Sequence, residues 1–503
     1  MAYDITVTTS ALPVVESRAR AGSSTRLAQV TSIVRAHGEG LGAAAVYAAF
    51  ALWALVPAAK MLEPDDYAYR ASIIALSQGH FWLTNTQYTA LAKSLSGGIQ
   101  QWVHLANGHW ISEKNPGYPF FAVVFQWLRI VRLTPLFYGA IGSAALYCGA
   151  RRWLGRRGGL FAVVLYCSAG AAMVFAWRAT MPTFTDASLI AAGAGALLWT
   201  LLAVEASARR RTVVGLMGFV ALEGATFIRY TDVVELAVAV AAVCVFARSA
   251  RLRWRNVVWW LSSVALFGGL VLVFDALVYG GATRTGYSSG EITFSTSALV
   301  PNLENMPLHL LRAMPLALIA AGAVIWIVAR LVMARRAETG EASLRRRDAS
   351  VAGSLLAGWL GIWGLYAAYN WTVTMGAGGV GSDVHVVRFY VPALGLMALL
   401  GAWLLTRIPG WFALGIVAVL VTSGGYTYQQ MATSGLGPGG GFPGGGPGGS
   451  GGRLPGGGRG GPPGGIPGGR PPGGGRGRLP GGAPGTKAPG GAHAASSRAG
   501  DAR

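Results

Sequence analysis

The chain has 503 residues, of which 52% are hydrophobic and only 12% are charged. Soluble proteins carry about 25% charged residues, so this composition excludes an ordinary soluble domain and predicts a protein that crosses a membrane several times. The formal net charge of +21 does not predict nucleic-acid binding, because the arginines lie in short loops between apolar segments, as they do in membrane proteins.

Residues 1–40 are polar and contain several arginines, and they are predicted to form a cytoplasmic N-terminal segment. The apolar stretches that follow are long enough to cross about 30 Å of hydrocarbon at about 1.5 Å per residue. The predicted fold is an all-α polytopic membrane protein with roughly 11 spans, and 12 or 13 as alternatives. The predicted spans are 41–60, 133–150, 158–177, 185–204, 211–228, 231–248, 256–279, 307–333, 350–371, 388–406 and 409–425.

Basic loops alternate with loops that are poor in Lys and Arg, and the basic ones mark the cytoplasmic side. They comprise residues 151–157, 209–211, 248–255 and 334–347. This alternation places the long loop 61–132 outside. The apolar segment 115–131 would invert every later loop if it crossed, so it is predicted to be a juxtamembrane or re-entrant helix that begins after Pro116 and Pro119.

The C-terminal region consists almost entirely of glycine, proline and arginine. Such a composition cannot bury enough apolar surface to offset chain entropy. Residues 431–503 are therefore predicted to be a disordered basic tail that follows a membrane domain of residues 41–430. The Gly-x-Gly sequences of the tail have no strand–helix context and do not indicate a nucleotide site.

Polar residues concentrate on the side predicted to be outside. A charge in the membrane is costly unless it faces a cavity or a partner, and Glu223, Glu235 and Asp275 all lie near the outer ends of their spans. This convergence predicts one polar cavity open to the outside. The alternative for any single residue is a structural ion pair, such as Glu223 with Arg229. The other outer residues are Glu63, Asp65, Asp66, Glu113, Lys114, Arg178, Asp186, Asp232, Tyr287, His385 and Arg388.

Several outer stretches have the order and residue types of a known family. They are "DDYAY" (65–69), "SEKNPGYP" (112–119), "WRATMPTFTD" (177–186), "FIRYTD" (227–232), "YGGATRTGYSS" (279–289) and "RFYVPAL" (388–394). Together they resemble the membrane glycosyltransferases of the GT-C fold, specifically the family 39-like group of protein O-mannosyltransferases and aminoarabinose transferases. The second stretch departs from the family's Glu-Lys-Pro-Pro-like motif, because Asn115 replaces the first proline and Gly117 follows Pro116.

The resemblance implies the transfer of a sugar from a polyprenyl-phosphate-linked donor to an acceptor outside the cell membrane. It implies Asp65 as the general base, Asp66 as its partner, and Lys114 with an arginine on the phosphate. A carboxylate can take a hydroxyl proton, and cations stabilise a leaving phosphate, so the residue types suit this chemistry. The predicted substrate-binding residues are Tyr69, Glu113, Lys114, Arg178, Asp186, Arg229, Tyr287 and Arg388.

The sequence leaves the acceptor open among a cell-envelope glycan, lipid or protein, and it leaves the sugar open between a hexose and a pentose. It also leaves open whether a divalent cation takes part. Cys148, Cys167 and Cys244 show no metal-ligand spacing. The alternative function is a lipid or polysaccharide transporter or flippase without catalytic activity, which inverted repeats and midplane polar residues would favour. A third hypothesis, a non-catalytic anchor that displays the tail, leaves the outer charges unexplained.

Overall fold

The computed structural model describes residues 38–56, 64–95, 98–105, 107–286, 293–334, 339–373 and 386–433, with side chains omitted for 334–345 and 431–433. Within these ranges the chain is helical apart from one short hairpin and the connecting turns. This confirms the prediction of an all-α polytopic membrane protein. The predicted N-terminal segment and C-terminal tail lie outside the described residues, as do Glu63, Tyr287 and His385.

The N-terminal part consists of one apolar helix followed by a group of short elements. The short elements fold together because α3 has a complete capping box between Thr84 and Gln87, and because Leu83 pairs its backbone with Trp110 of the hairpin. The elements are α1 (Gly38–Leu55), α2 (Pro64–Ser77), α3 (Asn85–Ser94), the antiparallel strands β1 (Trp102–His104) and β2 (Trp110–Ser112), and α4 (Gly117–Trp127).

The remaining helices form the membrane domain. The helix α7 lies at its centre, with 72% of its span buried, whereas α10 lies at the periphery with 11% buried. The helices are α5 (Thr134–Ser168), α6 (Gly170–Trp177), α7 (Thr183–Leu202), α8 (Ala208–Ile228), α9 (Val233–Phe246), α10 (Trp254–Tyr279), α11 (Leu299–Ala313), α12 (Leu316–Ala334), α13 (Thr339–Ala367), α14 (Asn370–Val373), α15 (Leu394–Leu405) and α16 (Gly410–Thr433).

Among the described residues, seven helices are long and apolar enough to cross a membrane, or up to eight if a bent pair counts as one span. The sequence predicted about eleven, counting every sufficiently apolar stretch as a span. Two predicted spans, 133–150 and 158–177, form α5 and α6. In this pair α5 is kinked at Gly155, whose φ is 78°, and α6 is bent by 64° from it.

Other predicted spans are shorter than expected because local turns interrupt them. The spans 231–248 and 388–406 correspond to α9 and α15, which have 14 and 12 residues, and a 3₁₀ turn precedes each helix. The span 307–333 is divided between α11 and α12, which flank Pro315, and a proline cannot continue the backbone hydrogen bonding of a helix.

The apolar segment after Pro116 forms α4, which has only 11 residues. A membrane span needs about 17–25 residues, so α4 has the length predicted for a juxtamembrane helix. Its first residue lies against the end of α8, since a Cβ atom on Gly117 would lie 2.3 Å from the backbone carbonyl carbon of Phe227. Glycine therefore permits the close approach of α4, which Lys114 precedes, to the C-terminal end of α8.

Candidate active site

The acidic pair lies in the first turn of α2. Pro64 is the first residue of this helix, a position where the missing N–H of proline costs nothing. Asp65 and Asp66 follow it, and the partial positive charge of a helix N-terminus favours carboxylates there. These local preferences explain why acids are tolerated in this turn, and the tertiary contacts of the two side chains distinguish their roles.

Asp65 lies between two cations from distant parts of the chain. Its Oδ1 atom is 3.0 Å from Nζ of Lys114, and its Oδ2 atom is 2.9 Å from Nη1 of Arg388. The Asp65 side chain is 16% exposed, and both cations are buried. The structure thus brings together the predicted base and two of the predicted phosphate ligands.

Asp66 points the other way and is completely buried. Its Oδ2 atom accepts a hydrogen bond from Nη2 of Arg178, and its Oδ1 atom accepts one of 2.7 Å from the Thr180 hydroxyl. Arg178 is only 1% exposed. Buried ion pairs of this kind are strongly destabilised when one partner is removed, so Asp66 and Arg178 fix α2 to the turn that joins α6 and α7.

A second ion pair lies beneath Arg388. Nε of Arg229 is 3.2 Å from Oδ2 of Asp186, which lies in the first turn of α7. The same guanidinium donates to the Thr183 hydroxyl at 2.9 Å and to the backbone carbonyl of Arg388 at 3.3 Å. Asp186 and Arg229 therefore contact the segment that carries Arg388 rather than Asp65 itself.

Aromatic rings surround the guanidinium of Arg388. Its Cζ atom lies 4.8 Å from the ring centroids of both Trp371 and Phe389, and Cζ of Arg229 lies 5.6 Å from that of Phe389. Arginine is attracted to aromatic faces at these distances. The rings therefore hold the guanidinium in place beside Asp65, with which it is paired.

The structure describes two further predicted site residues, Tyr69 and Glu113. Tyr69 is buried, and its ring is 5.6 Å from that of Tyr118 in an edge-on contact. The backbone N–H of Glu113 donates to Gln101 at 2.9 Å. Tyr287 is not described, but the preceding Gly286 packs so closely on the hairpin that an added Cβ would lie 2.7 Å from Cα of Glu113.

Glu223 and Asp275 accept hydrogen bonds from neutral side chains, whereas the sequence allowed an ion pair of Glu223 with Arg229 as an alternative. Glu223 accepts a 2.9 Å hydrogen bond from Ser263, and Asp275 accepts one of 2.8 Å from Tyr230. Arg229 pairs with Asp186 instead of Glu223. The first two acids thus hold α8 and α10 in place and lie outside the centre around Asp65.

Lys114 also lines a shallow, mainly apolar groove of about 40 Å³. Its aromatic lining consists mainly of Phe81, Phe120 and Phe274, whose ring centroids are 5.3–6.5 Å apart. Phe81 and Phe120 are both more than one-third exposed. A cation that lines an exposed apolar groove suits an amphiphile whose anionic group is attached to a hydrocarbon chain.

A divalent cation remains an open question for this site. Among the residues that the structure describes, no group of three or more His, Cys, Asp or Glu side chains could hold a metal ion.

The structure adds four residues that the sequence did not single out. Thr180 binds Asp66, Thr183 binds Arg229, and two rings contact Arg388. The threonines lie in the quoted stretch 177–186, so their hydroxyls next to Arg178 and Asp186 were a usable signal. Phe389 also lies in a quoted stretch, 388–394, but neither its ring nor that of Trp371 was a specific signal, because aromatic residues are common at membrane interfaces.

No family model matches the chain, and no curated protein matches it. Among solved structures, apo ArnT from Cupriavidus metallidurans has 15% identity and a TM-score of 0.48, over 77% of this chain and 62% of that chain. The same protein bound to undecaprenyl phosphate has 17% identity and a TM-score of 0.46, over 76% of this chain and 62% of that chain.

A further match is the archaeal oligosaccharyltransferase AglB from Archaeoglobus fulgidus in complex with an inhibitory peptide and a dolichol-phosphate. It has 10% identity and a TM-score of 0.43, over 78% of this chain and 55% of that chain. The chain thus spans less than two thirds of the length of these structures.

Proposed function

We propose that the protein transfers a sugar from a polyprenyl-phosphate-linked donor to an acceptor on the extracytoplasmic face of the membrane, with Asp65 as the general base. The observation that carries this proposal is the position of Asp65 between Lys114 and Arg388, with Lys114 also lining an apolar groove. A base, two cations and a neighbouring apolar groove are the parts that such a transfer needs.

The donor lies with its isoprenoid chain in the groove lined by Phe81, Phe120 and Phe274. Its phosphate then reaches the ammonium of Lys114, which lines the same groove, and the guanidinium of Arg388 on the other side of Asp65. A guanidinium suits phosphate oxygens because it presents a planar fork of donors. Tyr69, Glu113 and Tyr287 remain proposed sugar or acceptor contacts.

Donor binding has a consequence for the base. Without donor, the Asp65 carboxylate pairs with both cations, and a nearby opposite charge favours the charged form of a carboxylate. The donor phosphate competes for the same two cations. Its binding therefore weakens the hold on Asp65 and makes the carboxylate a better proton acceptor at the time when the acceptor hydroxyl must be deprotonated.

The transfer step follows from this arrangement. The acceptor oxygen forms a bond to the anomeric carbon while its proton passes to Asp65. The bond from that carbon to the phosphate oxygen breaks, and the bond pair leaves with the polyprenyl phosphate. Lys114 and Arg388 stabilise the charge that develops on this phosphate, which is the interaction that lowers the barrier. Asp186, through Arg229, holds the backbone of Arg388 in position.

The competing hypothesis is a lipid transporter that moves a polyprenyl-linked sugar without breaking it. The test is to incubate purified protein in detergent with radiolabelled polyprenyl-phosphate sugars and an extract of cell-envelope acceptors. We expect label to move from the lipid phase to an acceptor, and Asp65→Asn protein to be the matched inactive control. Binding of the donors without movement of label, in wild-type protein as in the control, would favour the transporter.

A further inference from the structure

A second groove lies within the membrane domain, away from Lys114. It is an open groove of about 80 Å³ between α7, α8, α9, α13 and α15. Its walls are aliphatic and include Leu197, Val238, Ala242 and Leu355. Ala239 and Ala242 are partly exposed, so the groove is accessible from the surface that faces the membrane. None of the residues assigned to sugar transfer lines it.

One acid is present in this mainly aliphatic lining. Glu235 lies in the first turn of α9 and is 5% exposed. Its Oε1 atom is buried and has no hydrogen-bond partner among the described residues. Its Oε2 atom lies close to α13 at Gly358, where an added Cβ atom would be 2.4 Å away. A buried carboxyl oxygen without a partner is costly, so this position indicates a missing hydrogen-bond donor.

The length of the groove matches one lipid leaflet. The lining residues of α9 extend from Glu235 to Phe246, which is about 16 Å along a helix at about 1.5 Å per residue. The hydrocarbon core is about 30 Å thick, so the groove is about as deep as the chains of a single leaflet. Its walls offer such a chain aliphatic contacts, and Glu235 offers its polar end a hydrogen-bond acceptor.

We propose that this groove binds a single-chain lipid whose hydroxyl or amine group donates a hydrogen bond to Glu235. The chain lies along α9 towards Phe246, and the donor group satisfies Oε1. The inference does not depend on the proposed sugar transfer, because it uses neither Asp65 nor the cations around it. Its outcome can therefore differ from that of the transfer experiment.

The experiment uses two photoreactive probes on the full chain in detergent micelles. One is a long-chain alcohol with a diazirine in its chain, and the other has the same chain with a methyl group in place of the hydroxyl. Labelled peptides are identified by mass spectrometry. The variants are Ala242→Phe, which fills the groove, Ala241→Phe, which adds the same ring to the exposed neighbouring residue, and Glu235→Leu, which removes the acceptor.

We expect the alcohol to label peptides of α9 and α13 more strongly than the alkane does in the wild-type protein. Ala242→Phe should lower this labelling by about fourfold for each methylene that the ring displaces, and Ala241→Phe should leave it unchanged. Glu235→Leu should remove the preference for the alcohol. If Ala242→Phe does not fold, Ser354→Phe on α13 fills the same groove.

Two results would overturn the proposal. Equal labelling in Ala242→Phe and Ala241→Phe protein would mean that the probe contacts only the outer surface of the helices. Equal labelling by the alcohol and the alkane in the wild-type protein would mean that Glu235 has a purely structural role and that the groove takes no lipid of the proposed class.

Discussion

The contacts of Asp65 predict that one substitution will strengthen donor binding and lower turnover. The Asp65→Asn variant removes the proton acceptor, and general-base catalysis contributes about 10²–10⁴-fold, so the transfer rate should fall by that order. The same variant also removes the negative charge that occupies Lys114 and Arg388. We therefore expect the donor to bind more tightly while turnover is lost, as measured by the Kd for a donor analogue and by kcat.

The matched control for this experiment is Asp66→Asn. Asp66 binds Arg178 and Thr180 instead of the two proposed phosphate ligands. This variant should therefore not tighten donor binding, although a displaced α2 will impair transfer. Near-normal turnover in Asp65→Asn would remove this carboxylate from the mechanism.

The four cations predicted to bind phosphate should fall into two groups, according to whether their substitution lowers turnover or stability. Lys114→Ala and Arg388→Gln remove charges beside Asp65, and we expect the rate at saturating donor to fall by an amount that corresponds to about 2–4 kcal/mol, as for the loss of an oxyanion donor. Arg178→Gln leaves the completely buried Asp66 without its charged partner, which costs about 3–5 kcal/mol of stability. Turnover and thermal unfolding in detergent distinguish the two effects.

Arg229 belongs with Arg178 in this comparison, because it holds the backbone of Arg388 and pairs with the buried Asp186. We expect Arg229→Gln to lower the unfolding temperature together with activity. Unchanged turnover in both Lys114→Ala and Arg388→Gln protein would place the donor phosphate elsewhere.

At the scale of elements, the junction of α4 with α8 depends on Gly117. An added methyl group would lie 2.3 Å from the backbone of Phe227, and backbone cannot move aside as a flexible side chain can. Gly117→Ala should therefore separate the two helices at a cost of about 1–3 kcal/mol, as for other overpacked sites. Because Lys114 lies just before α4, we expect donor affinity to fall as well.

Gly415→Ala is the control for Gly117→Ala. Gly415 lies in α16, and nothing is within 4 Å of the position of its added Cβ. Alanine is favoured over glycine in a helix by about 1 kcal/mol, so this variant should be at least as stable as the wild type. Equal thermal unfolding of the two variants would contradict the tight junction.

A second element-level prediction concerns Asp348 on α13. Its Oδ1 atom accepts a 3.0 Å hydrogen bond from the indole of Trp153, and its Oδ2 atom accepts one of 3.0 Å from the indole of Trp403. The Asp348→Ala variant removes two charge-assisted bonds that join α13 to α5 and α15, and we expect a loss of about 2–4 kcal/mol in unfolding free energy.

Arg407→Ala provides the comparison for Asp348→Ala. Arg407 also contacts Asp348, at 3.2 Å, but its side chain is 39% exposed. Exposed ion pairs contribute about 0–1 kcal/mol, so the unfolding temperature should change little. A loss as large as that of Asp348→Ala would show that the ion pair, rather than the indole bonds, stabilises this junction.

Sequence patterns predicted some elements well and others poorly. The alternation of basic loops identified α4 as a helix that does not cross, because one extra crossing would have inverted every later loop. Hydropathy overestimated the spans at α9 and α15, because it counts apolar residues without detecting the 3₁₀ turns before both helices. The kink at Gly155 was equally invisible, since glycine is compatible with a helix until tertiary packing selects a φ of 78°.

The candidate site, too, was predictable from the sequence only in part. The residue types and their common side were readable from the sequence, and they placed Asp65, Asp66 and Lys114 in one group. The sequence did not show which acid pairs with which cation. Asp65 and Asp66 are neighbours on α2, yet Asp65 contacts Lys114 and Asp66 contacts Arg178. Which acid meets which cation depends on how the helix ends converge, and a pattern along the chain does not contain that information.

At the scale of the whole molecule, the proposed extracytoplasmic site requires one orientation in the membrane. Single cysteines at the exposed positions Ser94 and Ser297, introduced into protein without its three native cysteines, should react with an impermeant thiol reagent in intact cells. A cysteine at the exposed Ser249, in a basic loop, should react only after permeabilisation. Labelling of Ser249→Cys with protection of Ser94→Cys would place Asp65 and its neighbours on the cytoplasmic side.

The residues that contact Asp65 are synthesised at different times. Asp65 and Lys114 leave the ribosome early, but Arg388 follows most of the membrane helices, and the pair Arg229–Asp186 that supports its backbone is already in place by then. The centre around Asp65 is therefore completed only when one of the last helices arrives. A nascent chain that ends before residue 388 has the residues for the contact of Asp65 with Lys114 but not for the contact of Asp65 with Arg388.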